Sequence, residues 1–175
     1  GGYIAFAMWR RYAHRVAALV LADTRAQPDS EQAKEGRLAN IARARSVGAT
    51  AVFDAMVPKI FTDRTKPEVL EALRAIASEQ PIDGLCAALE TMRDRVDASD
   101  VLPTITVPTW VVQGEGDGAV TAAESRTMAA AIPGAKLVMV EGVGHFVNVE
   151  APDRFNDVLR SVGVTVESSL HTRPI

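Results

Sequence analysis

The chain has 175 residues, of which 47% are hydrophobic and 23% charged, values typical of a globular domain and too apolar for a disordered one. Its net charge of −3 argues against a basic nucleic-acid-binding face, and its single cysteine cannot form an internal disulfide. The apolar run Tyr3 to Trp9 is far shorter than the roughly 20 residues that span a bilayer. We therefore expect a cytoplasmic protein with no nucleic-acid or membrane partner.

The two ends of the chain alternate helical and strand patterns. Three short apolar runs are continuous rather than alternating, which is typical of strands buried on both faces of a parallel sheet. This alternation predicts the α/β class. In chain order, the predicted elements are a helix over residues 2–14, a strand that begins at Val16 and ends at Ala22, a strand over 109–113, a helix over 121–132, a strand over Lys136–Val140 and a helix over 152–162.

The middle of the chain has a different pattern. Between Thr24 and Pro103 no buried strand is evident, and prolines and glycines, including Pro58, separate helical segments over residues 39–47, 49–56, 67–78 and 85–96. This pattern predicts an all-helical insertion between two strands of one sheet. The expected domains are therefore a core formed by residues 1–24 and 103–164, a helical insertion over 25–102, and a tail over 165–175 that lacks periodicity.

Polar side chains follow two of the predicted strands. Asp117 lies in a glycine-rich loop after the second strand, and His145 lies in another such loop after the third. Open α/β sheets bind their ligands at the carboxyl ends of the strands, so these two side chains are expected to meet. The carboxylate would then accept a hydrogen bond from one imidazole nitrogen and leave the other as a general base. Asp23, at the carboxyl end of the first strand, either assists this site or caps the next turn.

The run from Pro108 to Phe155, with Asp117 and His145 in those loops, resembles the C-terminal part of an α/β-hydrolase. Gly1-Gly2-Tyr3 resembles the residues that follow the nucleophile in that fold's strand-to-helix elbow. The resemblance implies the C-terminal half of a parallel sheet, three strands with flanking helices, plus a helical cap over the active site. It also implies that Asp117 is the acid and His145 the base of a Ser-His-Asp triad.

The subfamily pattern is most similar to β-ketoadipate enol-lactonase-like enzymes and related esterases. It implies hydrolysis of a small carboxylic ester or lactone with no cofactor and no metal. The substrate-binding residues expected on this basis are Phe146, Phe53, Met56 and Phe61. Haloalkane dehalogenase, perhydrolase and carbon–carbon hydrolase activities remain alternatives within enzymes, and a non-catalytic binding or interaction module is the alternative outside them.

The nucleophilic serine implied by this resemblance would lie two positions before Gly1, so the chain by itself is expected to be inactive. A longer natural protein, a complementing second chain and a truncated product without catalytic function all remain open explanations. Without a preceding strand, the strand from Val16 to Ala22 would expose an unpaired edge. We expect this edge to pair with the N-terminal half of the fold or with a second copy, and a monodisperse monomer in gel filtration would contradict that expectation.

Overall fold

The structure is a computed structural model that describes residues 1–171, with side chains through residue 168. A parallel sheet has the strand order β1-β2-β3, formed by Leu19–Ala22, Thr109–Gly114 and Lys136–Val140. The eight α-helices of the described residues are α1 Gly2–Tyr12, α2 Glu31–Val47, α3 Ala49–Ile60, α4 Pro67–Ser78, α5 Ile82–Arg93, α6 Ala122–Ala131, α7 Val147–Glu150 and α8 Pro152–His171.

The register brings the carboxyl ends of the three strands to one edge of the sheet. Ala22 pairs with Val112, and Gly114 pairs with Val140, so the loops after all three strands begin side by side. β2 is buried along its whole length because it is the central strand. β1 lies at one edge of this sheet, and what pairs with its open side stays a prediction.

Side chains that alternate along the strands form a separate core on each face of the sheet. On one face Leu21 and Val111 pack with Phe6 of α1 and Met128 of α6. On the other face Trp110 and Val112 pack with a group that includes Val147 and Val158, which lie on α7 and α8. Helices on both faces explain why the strands are continuous apolar runs in the sequence.

The helical insertion has its own small core, and ion pairs join the two ends of the insertion, which form its base. Ile41, Val52 and Leu89 from three of its helices pack together. At the base, the Asp29 carboxylate is fully buried and accepts hydrogen bonds from Arg37 at 3.0 Å and Arg95 at 2.6 Å. Burial opposes the ionisation of Asp29, but the hydrogen bonds from the two guanidinium groups outweigh it and hold the pKa of this carboxyl below its ordinary value.

Several element boundaries differ from the sequence-based expectations. β1 begins at Leu19 rather than Val16, because residues 13–15 form a 3₁₀ turn and Val16 donates its N–H to Ala13. The helix α3 continues for two residues beyond Pro58. Proline has no N–H to donate to the carbonyl of Asp54, but Asp54 is exposed, so the helix tolerates this lost hydrogen bond.

Three other helices also differ from the prediction. α2 begins eight residues before the expected residue 39, because the Ser30 side chain accepts the N–H of Ala33 and caps the helix there. The first half of α2 has no apolar stripe, so no hydrophobic pattern indicates this start. α5 begins three residues before the expected residue 85 and ends three before 96. α8 runs to His171 rather than ending at residue 162, so residues 165–171 of the expected tail are helical; the rest of that tail lies outside the described residues.

Candidate active site

The loop after β2 holds the Asp117 carboxylate in a network of hydrogen-bond donors. One oxygen, Oδ1, accepts the backbone N–H groups of Ala119 at 2.7 Å and Val120 at 3.2 Å. The other oxygen, Oδ2, lies 3.3 Å from Nε2 of Gln113, a fully buried side chain of β2. Gln113 is held in turn by Ser125, whose hydroxyl donates to Oε1 at 2.5 Å. The donors leave the carboxylate little freedom to rotate.

The loop after β3 brings His145 to that carboxylate. Its Nδ1 lies 2.7 Å from Oδ2 of Asp117, and the aspartate side chain has no exposed surface while the histidine is 29% exposed. A buried ionised carboxylate that accepts this hydrogen bond requires the proton on Nδ1. Nε2 is then the free nitrogen, and His145 lines the large cavity of the protein. The structure therefore brings together the two residues predicted to meet.

Four successive backbone N–H groups in the His145 loop have acceptors elsewhere in the fold. Those of Gly144 and Phe146 donate to the Glu150 carboxylate at 3.1 Å. That of His145 donates to the carbonyl of Ile60 at 2.7 Å, and that of Val147 donates to Asp23 at 3.3 Å. Since each consecutive amide is fixed, the backbone that carries the imidazole is held in place before any substrate binds.

The C-terminal end of α3 contacts both loops. The carbonyl of Lys59 accepts the N–H of Gly118 at 2.9 Å, next to Asp117, and the neighbouring carbonyl of Ile60 accepts from His145. Beyond the helix, Thr62 donates to the carbonyl of Gly142 at 3.0 Å, and Thr65 donates to Glu150 at 2.6 Å. The helical insertion is thus attached directly to the loops that carry Asp117 and His145.

Three of the four predicted substrate-binding residues line the same cavity as His145, which has a volume of about 1170 Å³. These are Phe53, Met56 and Phe146. Phe61 is buried and not part of the lining; its ring stacks on that of Phe146 at a centroid distance of 5.4 Å. Phe61 therefore packs against Phe146 without lining the cavity itself. Sequence reasoning gave no role to Glu150, Gln113 or Ser125; a Gln in an otherwise apolar strand is the one signal that could have identified any of them.

The described residues contain no group of three or more His, Cys, Asp or Glu side chains able to hold a metal ion. Within that same part of the chain, no helix has both the length and the hydropathy needed to cross a bilayer.

Gly114 is a point of close approach between the two loops. A Cβ atom on this residue would overlap the carbonyl oxygens of Gly144 and Val143, which belong to rigid backbone rather than to a flexible side chain. Gly114→Ala is therefore expected to lower the free energy of unfolding by about 1–3 kcal/mol, measured by urea denaturation. Gly36→Ala in α2 is the matched control, since a Cβ there meets open space. An unchanged unfolding free energy for Gly114→Ala would contradict the close approach.

A family model described as the alpha/beta hydrolase family matches residues 1–158. The chain belongs to this family. A thermophilic esterase from Thermogutta terrifontis, solved with malate bound, is 36% identical with a TM-score of 0.89 over 94% of this chain. The enol-lactonase from Burkholderia xenovorans LB400 is 29% identical with a TM-score of 0.83 over 93% of this chain. These matches confirm the predicted resemblance and the partial alpha/beta hydrolase fold.

The chain spans only part of its relatives. It covers 62% of the length of both of those solved chains. A Klebsiella pneumoniae protein named for carbamate hydrolysis, RutD, is 35% identical over 86 residues, which are 49% of this chain and 32% of that protein.

Proposed function

We propose that this chain supplies the acid and the base of a Ser-His-Asp hydrolase that acts on small carboxylic esters or lactones without a cofactor. The observation that carries the proposal is the 2.7 Å contact between Oδ2 of the buried Asp117 and Nδ1 of His145 at the wall of a cavity. Two of its structural relatives, an esterase and an enol-lactonase, support this substrate class. The helical insertion would be the cap of the site.

The nucleophile in this proposal is a serine that precedes Gly1 in the natural protein. Gly1 and Gly2 line the same cavity as His145, which supports a nucleophile near the beginning of α1. The serine hydroxyl would attack the carbonyl carbon of the substrate while Nε2 of His145 takes its proton. His145 would then pass this proton to the leaving alkoxide as the carbon–oxygen bond breaks, which leaves an acyl-enzyme.

Hydrolysis of the acyl-enzyme repeats these steps with water as the nucleophile. Nε2 of His145 would take a proton from water as its oxygen attacks the acyl carbon, and would return that proton to the departing serine oxygen. During both formation and hydrolysis of the acyl-enzyme, Asp117 would fix the orientation of the His145 imidazole and stabilise its cationic form. Phe146, Phe53 and Met56 would contact the apolar parts of the substrate, with Phe61 packed behind Phe146.

The natural-length protein, in which residues precede Gly1, is expected to hydrolyse p-nitrophenyl acetate with a burst of p-nitrophenol equal to the enzyme concentration, because this activated ester acylates the serine faster than the acyl-enzyme is hydrolysed. Stopped-flow absorbance measures this burst. The 175-residue chain alone is the matched comparison and is expected to show none. Absence of turnover by the natural-length protein on a panel of small esters and lactones would contradict the substrate class. Turnover by the chain alone would contradict the proposed position of the nucleophile.

A further inference from the structure

Asp23 is a buried carboxylate directly after β1, in the part of the site that the mechanism above does not use. Its backbone has a φ of +46°, the left-handed region that aspartate tolerates better than most residues. Its Oδ1 accepts the N–H of Gly114 at 2.9 Å, and its Oδ2 accepts the N–H of Val147 at 3.3 Å. One side chain therefore joins the ends of two different loops.

Those two loops are the ones that carry the acid and the base. Gly114 ends β2 and lies three residues before Asp117, whereas Val147 begins α7 and lies two residues after His145. The backbone also joins the loops, since Gly116 donates to the carbonyl of Val143 at 2.9 Å. A change in the distance between the loops would lengthen at least one of the two hydrogen bonds to Asp23, because one donor lies on each loop.

We propose that Asp23 is a positioning residue that sets the separation of Asp117 and His145 by accepting one backbone N–H from each of their loops. The inference rests on the proposed function only in that it takes this pair to be the acid and base. Asp23 acts through the two loops and has no hydrogen bond to either catalytic side chain among those described.

The charge of Asp23 affects how well it can fill this role. Burial, with a smaller contribution from the Asp117 charge, raises the pKa of its carboxyl to about 7, against the lowering effect of the Gly114 and Val147 hydrogen bonds and of the nearby His145. When the Asp23 carboxyl is ionised, each of its two oxygens accepts an N–H. When it is protonated, one oxygen becomes a hydroxyl donor that faces a backbone N–H donor. The two links therefore strengthen as the pH rises through about 7.

The stability of the folded protein has the opposite pH dependence: it falls, rather than rises, as Asp23 loses its proton. Since the pKa of the Asp23 carboxyl in the folded protein, about 7, lies above its ordinary value of 3.8, the folded state binds the proton more tightly than the unfolded state does. The contribution of Asp23 to stability is therefore fully present below about pH 4 and is lost as the pH rises to about 7. At neutral pH, the ionised Asp23 carboxylate that accepts both N–H groups therefore costs the folded protein some stability.

Asp23→Asn in the natural-length protein tests the proposal, because asparagine can accept only one of the two N–H groups and turns an amide donor toward the other. Two effects are expected. The kcat for p-nitrophenyl acetate falls by roughly 10- to 100-fold with little change in KM. The downfield NMR resonance of the proton between Nδ1 of His145 and Asp117 shifts or broadens. The resonance requires no turnover, so it remains informative if the proposed activity is wrong.

Asp29→Asn is the matched control, because Asp29 is also a buried carboxylate but lies at the base of the insertion. It is expected to lower stability and to leave the resonance in place. A wild-type resonance in folded Asp23→Asn protein, even with lowered stability, would overturn the proposal. If that variant does not fold, the wild-type amide resonances of Gly114 and Val147 decide: they should titrate together with the Asp23 carboxyl, and independent behaviour would overturn the proposal.

Discussion

Replacing His145 with alanine in the natural-length protein is expected to lower kcat for ester hydrolysis by roughly 10⁴- to 10⁶-fold. The imidazole is the one group that would both take the nucleophile's proton and return it to the leaving group. Asp117 cannot replace the imidazole, because the backbone N–H groups of Ala119 and Val120 hold its carboxylate in the loop. Steady-state hydrolysis of p-nitrophenyl acetate measures the loss, and added imidazole should restore part of the rate.

His14→Ala is the control for the loss of a histidine, since His14 is exposed in the 3₁₀ turn after α1. It is expected to keep the wild-type kcat and KM. If His145→Ala protein that is folded by circular dichroism hydrolyses the ester within tenfold of wild type, His145 is not the base.

Asp117→Asn is expected to lower kcat by about 10⁴-fold while the fold is retained. The reason lies in the donors around the carboxylate. Two backbone N–H groups hold Oδ1, so the asparagine oxygen stays there and its amide group takes the place of Oδ2. That amide then donates to Nδ1 of His145, which forces the imidazole proton onto Nε2. In that tautomer the nitrogen available to a reactant can no longer accept a proton.

The rate of p-nitrophenyl acetate hydrolysis and the ¹⁵N chemical shifts of the His145 ring test this prediction together. Glu115→Gln is the matched control, because Glu115 is an exposed carboxylate in the same loop. It is expected to leave both measurements unchanged. Equal losses for Glu115→Gln and Asp117→Asn would show that the negative charge of the loop matters rather than the specific contact.

The fold follows from local patterns wherever those patterns are strong. β3 was predicted to the residue, and β2 to within one, because an apolar run bounded by turn residues defines a buried strand. The start of β1 was placed too early, since Val16 is as apolar as a strand residue and only the 3₁₀ turn diverts its N–H. The beginning of α2 was missed because its first half is charged and contains Gly36, so it has no hydrophobic periodicity.

Within the site, the contact between Asp117 and His145 is predictable from the sequence, but the residues that hold the two side chains are not. Asp117 and His145 each follow a strand and a glycine, and strand order alone places such loops together. Glu150 accepts the N–H groups of Gly144 and Phe146 only because the chain curls back over four to six residues, which no short pattern reveals. Asp23 depends on contacts about 90 and 124 residues away along the chain, which only the folded sheet creates.

A double-mutant comparison of kcat tests whether Asp117 acts through His145. The measurement is kcat for p-nitrophenyl acetate in wild type, His145→Ala, Asp117→Asn and the double variant, all at natural length. Groups that act as one unit have strongly non-additive effects, so the double variant should be about as slow as His145→Ala alone. Losses that multiply in the double variant would show two independent roles and would contradict the account.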